Sequence, residues 1–345
     1  MRALFDVTHP AHVHLFKHAI CELERDDHDV RVLSREKEVT TALLDAAGID
    51  HRPLSRKAES PLGLAREWLG RELRVLREVR RFDPDLVVSR LNPAAVHAAR
   101  LTDTPSIVFH DTEPAGWLAS WTLPLADVVC TPAGFEERWS GQRRYQGYQE
   151  LAYLHPSRFD PNPQALREDG VAVDERYSVL RLVAGDAHHD YGNDSLPADV
   201  RAQVIDTLSD LGPVYASVEA DGGTPPGTEP LPVPPERLHD LLAFADCYVG
   251  DSNTTAVEAG LLGTPALRYD TFGAGALQNF VELESEYGLV QSTENGERLL
   301  ELVTGVARQP DAAAKRWREA RNHLLADKVD VTGYMLDLLE LEVRR

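Results

Sequence analysis

The sequence predicts an α/β protein built from two doubly wound halves, each around a mostly parallel sheet. Three observations point there. Short apolar runs of strand length alternate with amphipathic helical stretches along most of the chain. Proline and glycine thicken between Gly141 and Pro163 and divide that alternation in two. Each polar cluster with chemical potential follows a predicted strand, which is where open parallel sheets bind ligands.

In the first half, strands are predicted at 3–7, 29–33, 51–54, 86–89, 106–109 and 127–130. Helices are predicted at 13–23, 36–47 and 62–81, the second stopped by Gly48. The second half repeats the alternation, with strands at 177–183, 214–217, 247–249 and 266–269. Its helices fall at 197–211 and 236–244, then after residue 251, and terminal helices cover 311–345. The Gly/Pro-rich stretch 221–235 reads as a connector. The expected domains are 1–150 and 166–345, joined by a linker at 151–165. No solenoid-length repeat is visible.

A chain of 345 residues with 43% apolar content can bury two ordinary cores. Its net charge is −20, and lysines are confined to positions 17, 37, 57, 315 and 328. Acid-rich, lysine-poor surfaces suit molar salt, where screening removes self-repulsion, so a halophilic adaptation is expected. The same charge leads to the expectation of no nucleic-acid binding, a basic stripe able to neutralise phosphates not being expected on so acidic a chain. Cys21, Cys130 and Cys247 are far apart and read as free thiols. No signal peptide and no bilayer-spanning run is apparent. The expected location is cytoplasmic, with room left for transient association with a membrane surface.

The most informative stretch is Asp251-Ser-Asn-Thr-Thr-Ala-Val-Glu258, set between a short strand and a helix. The unpaired N–H groups and dipole at a helix start attract anions such as phosphate. Ser252, Asn253, Thr254 and Thr255 are small enough to admit a diphosphate. Glu258, one turn further on, can reach a sugar hydroxyl. An ordinary capped helix with an exposed Glu258 is the competing reading.

After the first strand, His9, His12, His14 and His18 crowd together. Imidazoles suit zinc, nickel or copper, but the glutamate of an HExxH pair is missing, and no metal is expected. His9 or His12 is expected to act as a hydrogen-bond donor or proton carrier. His14 and His18 are expected to pack on a helix face. Asp111 and Glu113, beside His110, are candidates to activate a hydroxyl or bind a sugar, against a reading as helix caps. In the second half, Asp186, His188 and His189 could meet a phosphate or sugar, and Arg181 a phosphate or a surface ion pair. Pro234 and Pro235 could back a nucleobase, or simply begin a helix. There is no GxGxxG, no Walker sequence and no GxSxG elbow.

Four segments carry a resemblance. Phe5-Asp-Val-Thr-His-Pro-Ala-His-Val-His14, Phe109-His-Asp-Thr-Glu113, Tyr145-Gln-Gly-Tyr-Gln-Glu-Leu-Ala-Tyr-Leu-His-Pro156 and Pro234-Pro-Glu-Arg-Leu-His-Asp-Leu-Leu242 resemble a family of glycosyltransferases known only by prediction. The resemblance spans nearly the whole chain. It implies a GT-B fold, with two Rossmann-like domains facing a central cleft, a donor held mainly by the second, and no bound metal. The run Asp251 to Pro265 is also similar to the donor motif of UDP-N-acetylglucosamine 2-epimerases. That similarity implies diphosphate binding by Ser252, Asn253 and Thr254, and ribose binding by Glu258. The family's paired glycines are replaced here by Asn253 and Thr254. Glu113 matches an acid/base of the epimerases, but Arg90-Leu-Asn92 stands where they carry an acidic catalytic loop, which argues against epimerisation.

The expected activity is transfer of a sugar from a nucleotide-diphosphate sugar, a UDP-sugar being one candidate, to an acceptor. The alternatives are 2-epimerisation or hydrolysis of that donor, or its binding without catalysis. The nucleotide-sugar enters as substrate, and no separate cofactor is expected.

Overall fold

The computed structural model describes residues 1–345 except 38, 57, 59, 112–115, 137, 183–195, 219–222, 271–277 and 345, together with the side chains of 61, 65, 278 and 279. The chain forms two compact units, Met1–Arg158 with Lys328–Arg345, and Phe159–Asp327.

Unit 1 holds β1 (Arg2–Val7), α1 (Pro10–Arg25), β2 (Asp29–Glu36), α2 (Thr40–Ala46), β3 (His51–Arg56), α3 (Pro61–Phe82), β4 (Leu86–Arg90), α4 (Pro93–Leu101), β5 (Ser106–Phe109), α5 (Gly116–Thr122), β6 (Val128–Pro132), β7 (Gln142–Tyr145) and α6 (Leu151–Leu154). The strands pair in parallel in the order β3-β2-β1-β4-β5-β6-β7. Strand order therefore reverses between β1 and β4, and the loops beyond those two strands part there. Right-handed crossovers send helices to opposite faces on either side of that reversal. Accordingly α4 packs with α3 and α5, while α1 packs with α2 and α6.

Unit 2 holds α7 (Pro163–Glu168), β8 (Ser178–Leu182), α8 (Ala198–Ser209), β9 (Val214–Val218), β10 (Glu229–Pro230), α9 (Leu238–Phe244), β11 (Cys247–Gly250), α10 (Asn253–Leu262), β12 (Ala266–Tyr269), α11 (Gln278–Ser285), β13 (Val290–Thr293), α12 (Gly296–Arg308) and α13 (Pro310–Asp327). Its parallel sheet runs β10-β9-β8-β11-β12-β13, so its reversal lies between β8 and β11. The last helix, α14 (Val331–Val343), returns to unit 1.

Several expectations change. The helix foreseen from residue 36 starts at Thr40, because β2 continues through Glu36 to pair with β3. The edge strand β7 has no apolar run to announce it, since its middle residues Arg143 and Arg144 are exposed. Residues 151–158, assigned to the linker, belong to unit 1, and all four residues of α6 are buried. The terminal helix expected in the second domain packs on α1 and α6 instead. The reason is chemical as well as apolar. Val331, Met335 and Leu339 are buried, Thr332 donates to the Ala152 carbonyl at 2.7 Å, and Arg158 clasps both Asp330 and Glu22.

The helix after β11 is buried on nearly every side from Thr255 to Leu262, which suits its sequence of small and aliphatic residues. Glycine is required at both ends of this segment. A Cβ at Gly250 would lie 2.2 Å from the Arg181 carbonyl oxygen, so only glycine lets β11 approach β8 there. Gly263 ends α10 at φ +85°, the left-handed conformation that glycine adopts without strain.

Candidate functional site

In unit 2 the switch point between β8 and β11 opens onto the start of α10. Ser252 is the N-cap. Its Oγ accepts from the Thr255 N–H at 3.4 Å and lies 3.1 Å from Thr255 Oγ1, so Thr255 is committed to the cap. Ala256 N–H is taken by the Ser252 carbonyl. The N–H groups of Asn253 and Thr254 have no such acceptor among the described residues, and the Thr254 side chain is exposed. Those two amides are the open part of the helix start.

Arg268 in β12 stands beside them. It is 4% exposed, and its Nη1 donates to Asn253 Oδ1 at 2.6 Å. The guanidinium is further held by Asp270 at 3.0 Å and by Ser292 Oγ at 2.8 Å, and it lies over the Phe280 ring at 3.9 Å. Its charge is thus fixed next to the first turn of α10. A cleft of about 470 Å³ opens alongside, lined by Arg268, Asp270, Phe280, Glu284, Ser292 and Asn295 among others. Sequence reasoning missed Arg268. The signal was a single cation inside an otherwise apolar four-residue strand, a position where arginine is seldom placed without partners.

Glu258 does not sit exposed on the helix surface. Its side chain is 6% exposed, and Oε1 meets His239 Nε2 at 3.0 Å. His239 comes from α9, which follows a 3₁₀ turn at Pro235–Arg237, and its ring meets Phe159 edge-on. The imidazole therefore sets where the carboxylate can point. Arg181 pairs in register with Gly250 at the end of β8, and its Nη1 reaches Ser217 Oγ at 3.4 Å. Asp186 and His189 lie outside the described residues, as do His188 and Asp190.

In unit 1 the ends of β1, β4 and β5 gather a second polar set. At its base, Asp6 is fully buried and bonded by both the Arg71 guanidinium and the Asn92 amide. Burial pushes the Asp6 carboxyl above its usual range, against the opposing pull of Arg71 and Asn92. Arg71 also donates to the Ser34 carbonyl at 3.1 Å, and Asn92 Oδ1 accepts from Ala94 N–H, capping α4. One buried carboxylate thus ties β1, α3 and α4 together.

Above it, His9 caps α1 by accepting the Ala11 N–H at Nδ1, and its ring lies 5.9 Å from that of His12. His12 Nδ1 accepts the Thr8 N–H at 3.3 Å. That bond assigns the ring proton to Nε2, so neutral His12 presents a donor. Burial, then the charges of Arg90, His9, Lys37 and Arg71, push His12 well below the usual histidine range. Asp111 is ion-paired with Arg90. His110 is buried between Phe135 and Trp139, and burial lowers its imidazole to about 4, with Asp111 opposing the shift. Glu113 lies outside the described residues.

His14 and His18 point elsewhere on α1. The His14 ring stacks at 5.1 Å on Tyr153, and burial lowers His18 to about 4. Among the described residues, no group of three His, Cys, Asp or Glu side chains is arranged to hold a metal ion, and no helix is long and apolar enough to cross a membrane.

Compared by sequence, the chain matches no family model and no curated protein. Its structure is similar to that of the glycosyltransferase VinC in complex with dTDP, at 15% identity and a TM-score of 0.65, over 100% of both chains. It is similar to UDP-GlcNAc 2-epimerase from Neisseria meningitidis bound to UDP-GlcNAc, at 12% identity and a TM-score of 0.69, over 99% of this chain and 100% of that one. It is also similar to MurG from Acinetobacter baumannii, at 15% identity and a TM-score of 0.59, over 99% of each. At such identities it is the fold that is shared, and the chain has the two-domain GT-B fold of these glycosyltransferases and this epimerase.

Proposed function

We propose that the protein transfers a glycosyl group from a nucleotide-diphosphate sugar to an acceptor hydroxyl. The start of α10 carries this reading: two unclaimed amides at a switch point, with a fixed guanidinium one side chain away. A departing nucleoside diphosphate gains negative charge as the bond to the sugar breaks. Fixed N–H donors and the positive end of a helix interact most strongly when that charge is largest, so they favour the transition state over the bound donor. Glu258, oriented by His239, would accept from ribose hydroxyls. The polar cleft beside Arg268 offers Asp270, Glu284 and Asn295 to hydroxyls of the sugar.

The acceptor side falls to unit 1. The acceptor oxygen attacks the anomeric carbon, its proton passes to a carboxylate, for which Asp111 and Glu113 are the candidates, and the diphosphate departs. His12 is suited to donate a hydrogen bond from Nε2, not to take that proton, because its Nδ1 is occupied and its surroundings disfavour the imidazolium. His9, capping α1 through Nδ1, is suited to the same orienting task.

The test is to incubate the protein with UDP- and dTDP-sugars, with and without a panel of hydroxyl acceptors. Transfer predicts a donor that is stable alone and consumed when an acceptor is added. An epimerised sugar, or free diphosphate from donor alone, would replace transfer with epimerisation or hydrolysis. Binding without turnover under every condition would reduce the protein to a sugar-nucleotide binder.

A further inference from the structure

The exposed face of α3 is made of leucine and arginine. Leu62, Arg66, Leu69, Leu73, Arg77 and Arg80 follow one another at intervals of four, three, four, four and three residues. A helical period of 3.6 holds all six on a single face. All six are exposed, Leu62, Leu69 and Leu73 to 81%, 71% and 67%. The acids of α3 are turned away from this stripe: Glu67 is bound to Arg35, Glu78 to Arg52, and Glu72 to His97. Among the described residues, Arg66, Arg77 and Arg80 have no carboxylate partner. In a chain of net charge −20, a helix face made of leucine and arginine is an inversion of the surface rule.

The same helical layer carries a second apolar element. On α5, Trp117 and Trp121 lie one turn apart, 68% and 76% exposed. α4 packs between α3 and α5, so both belong to one side of the unit 1 sheet. In parallel α/β units the helices begin at the carboxyl ends of the strands. Leu62 and Trp117, each the second residue of its helix, are thereby placed towards the sheet end that bears His9, His12 and Asp111.

We infer that the α3–α5 layer docks onto an anionic lipid surface. Leucines inserted beside arginines, with tryptophans at the rim, match what an interface of acyl chains and acidic headgroups accepts. Charge selects this occupant over a second copy of the chain. A two-fold dimer through this face would set the arginine stripe against itself. A bound peptide would need a groove, and the clefts beside Arg143, Arg268, Arg298 and His51 are lined by other elements. The inference is independent of the proposed reaction, since it concerns binding without turnover.

The test is co-flotation of the full chain with vesicles of equal parts phosphatidylglycerol and phosphatidylcholine, and with vesicles of phosphatidylcholine alone. Arg66, Arg77 and Arg80 should favour the anionic vesicles by roughly tenfold or more. The Leu69→Glu/Leu73→Glu variant should lose binding by roughly a hundredfold while keeping its melting temperature, because both positions are exposed. Arg77→Glu/Arg80→Glu should abolish the preference for anionic lipid. Leu341→Glu, exposed on α14, should bind as the unaltered chain does. Absence of flotation, or flotation unchanged by the α3 variants, would overturn the inference. So would a dimer in light scattering that the leucine variant splits while vesicles go unbound, which would assign the face to self-association.

Discussion

His110 makes a residue-scale prediction with a definite sign. Its imidazole is held neutral in the folded protein down to about pH 4, whereas an unfolded chain protonates it near 6.5. Below pH 6.5 the unfolded state therefore binds more protons, and stability falls with pH until the folded group titrates at about 4. At pH 5 the loss from this one group is about 2 kcal/mol relative to neutral pH. In His110→Gln the difference in unfolding free energy between pH 7 and pH 5 should shrink by about that amount, measured by denaturant titration. An unchanged pH dependence would show that His110 is already protonated in the folded state or remains solvated.

At the same scale, residue type in context was readable and partnership was not. Ser252, Asn253 and Thr254 were legible as a helix start, because small polar residues between a strand and a helix favour caps. The burial of Glu258 against His239, nineteen positions earlier in the chain, was not legible. Asp6 and Arg71 are a similar case. A lone carboxylate in a buried strand demands a cation, yet the spacing does not say which of many arginines arrives.

At the scale of elements, the Asp6 carboxylate is the pin that holds β1 to α3 and α4. Removing its guanidinium while leaving the carboxylate should cost about 3–5 kcal/mol, since a buried charge would be left without its counterion. Arg71→Met should show that loss in thermal and denaturant unfolding, and Asp6→Asn/Arg71→Met should recover part of it. If Arg71→Met melts as the parent does, the network is ornamental. For α10, Gly263→Ala should cost about 1 kcal/mol or more, because alanine is strained at φ +85°. Elements were legible where apolar periodicity was strong: the strand expected at 106–109 and the one at 266–269 coincide with β5 and β12. They were illegible where pairing decided the matter, as in β7, whose exposed arginines mask an edge strand held by its neighbour β6.

At the scale of the whole molecule, the alternation of strands and helices was enough to foresee two doubly wound sheets, because that alternation leaves few other ways to cover both faces. The return of α14 to unit 1 was not foreseeable. An amphipathic helix states that it needs a partner surface, and the choice of unit 1 rests on partners far away in the chain: Ala152 for Thr332, and Arg158 for Asp330 and Glu22. The central claim is that a pyrophosphate docks on the open amides of α10. It is tested most directly by recording backbone amide resonances of the isotope-labelled chain during titration with UDP and dTDP in high salt. The account predicts that the Asn253 and Thr254 amides shift most, saturably, and that Glu258→Gln weakens the apparent Kd by about 1–3 kcal/mol without displacing the site. Shifts that leave those two amides unmoved while other residues respond would contradict it.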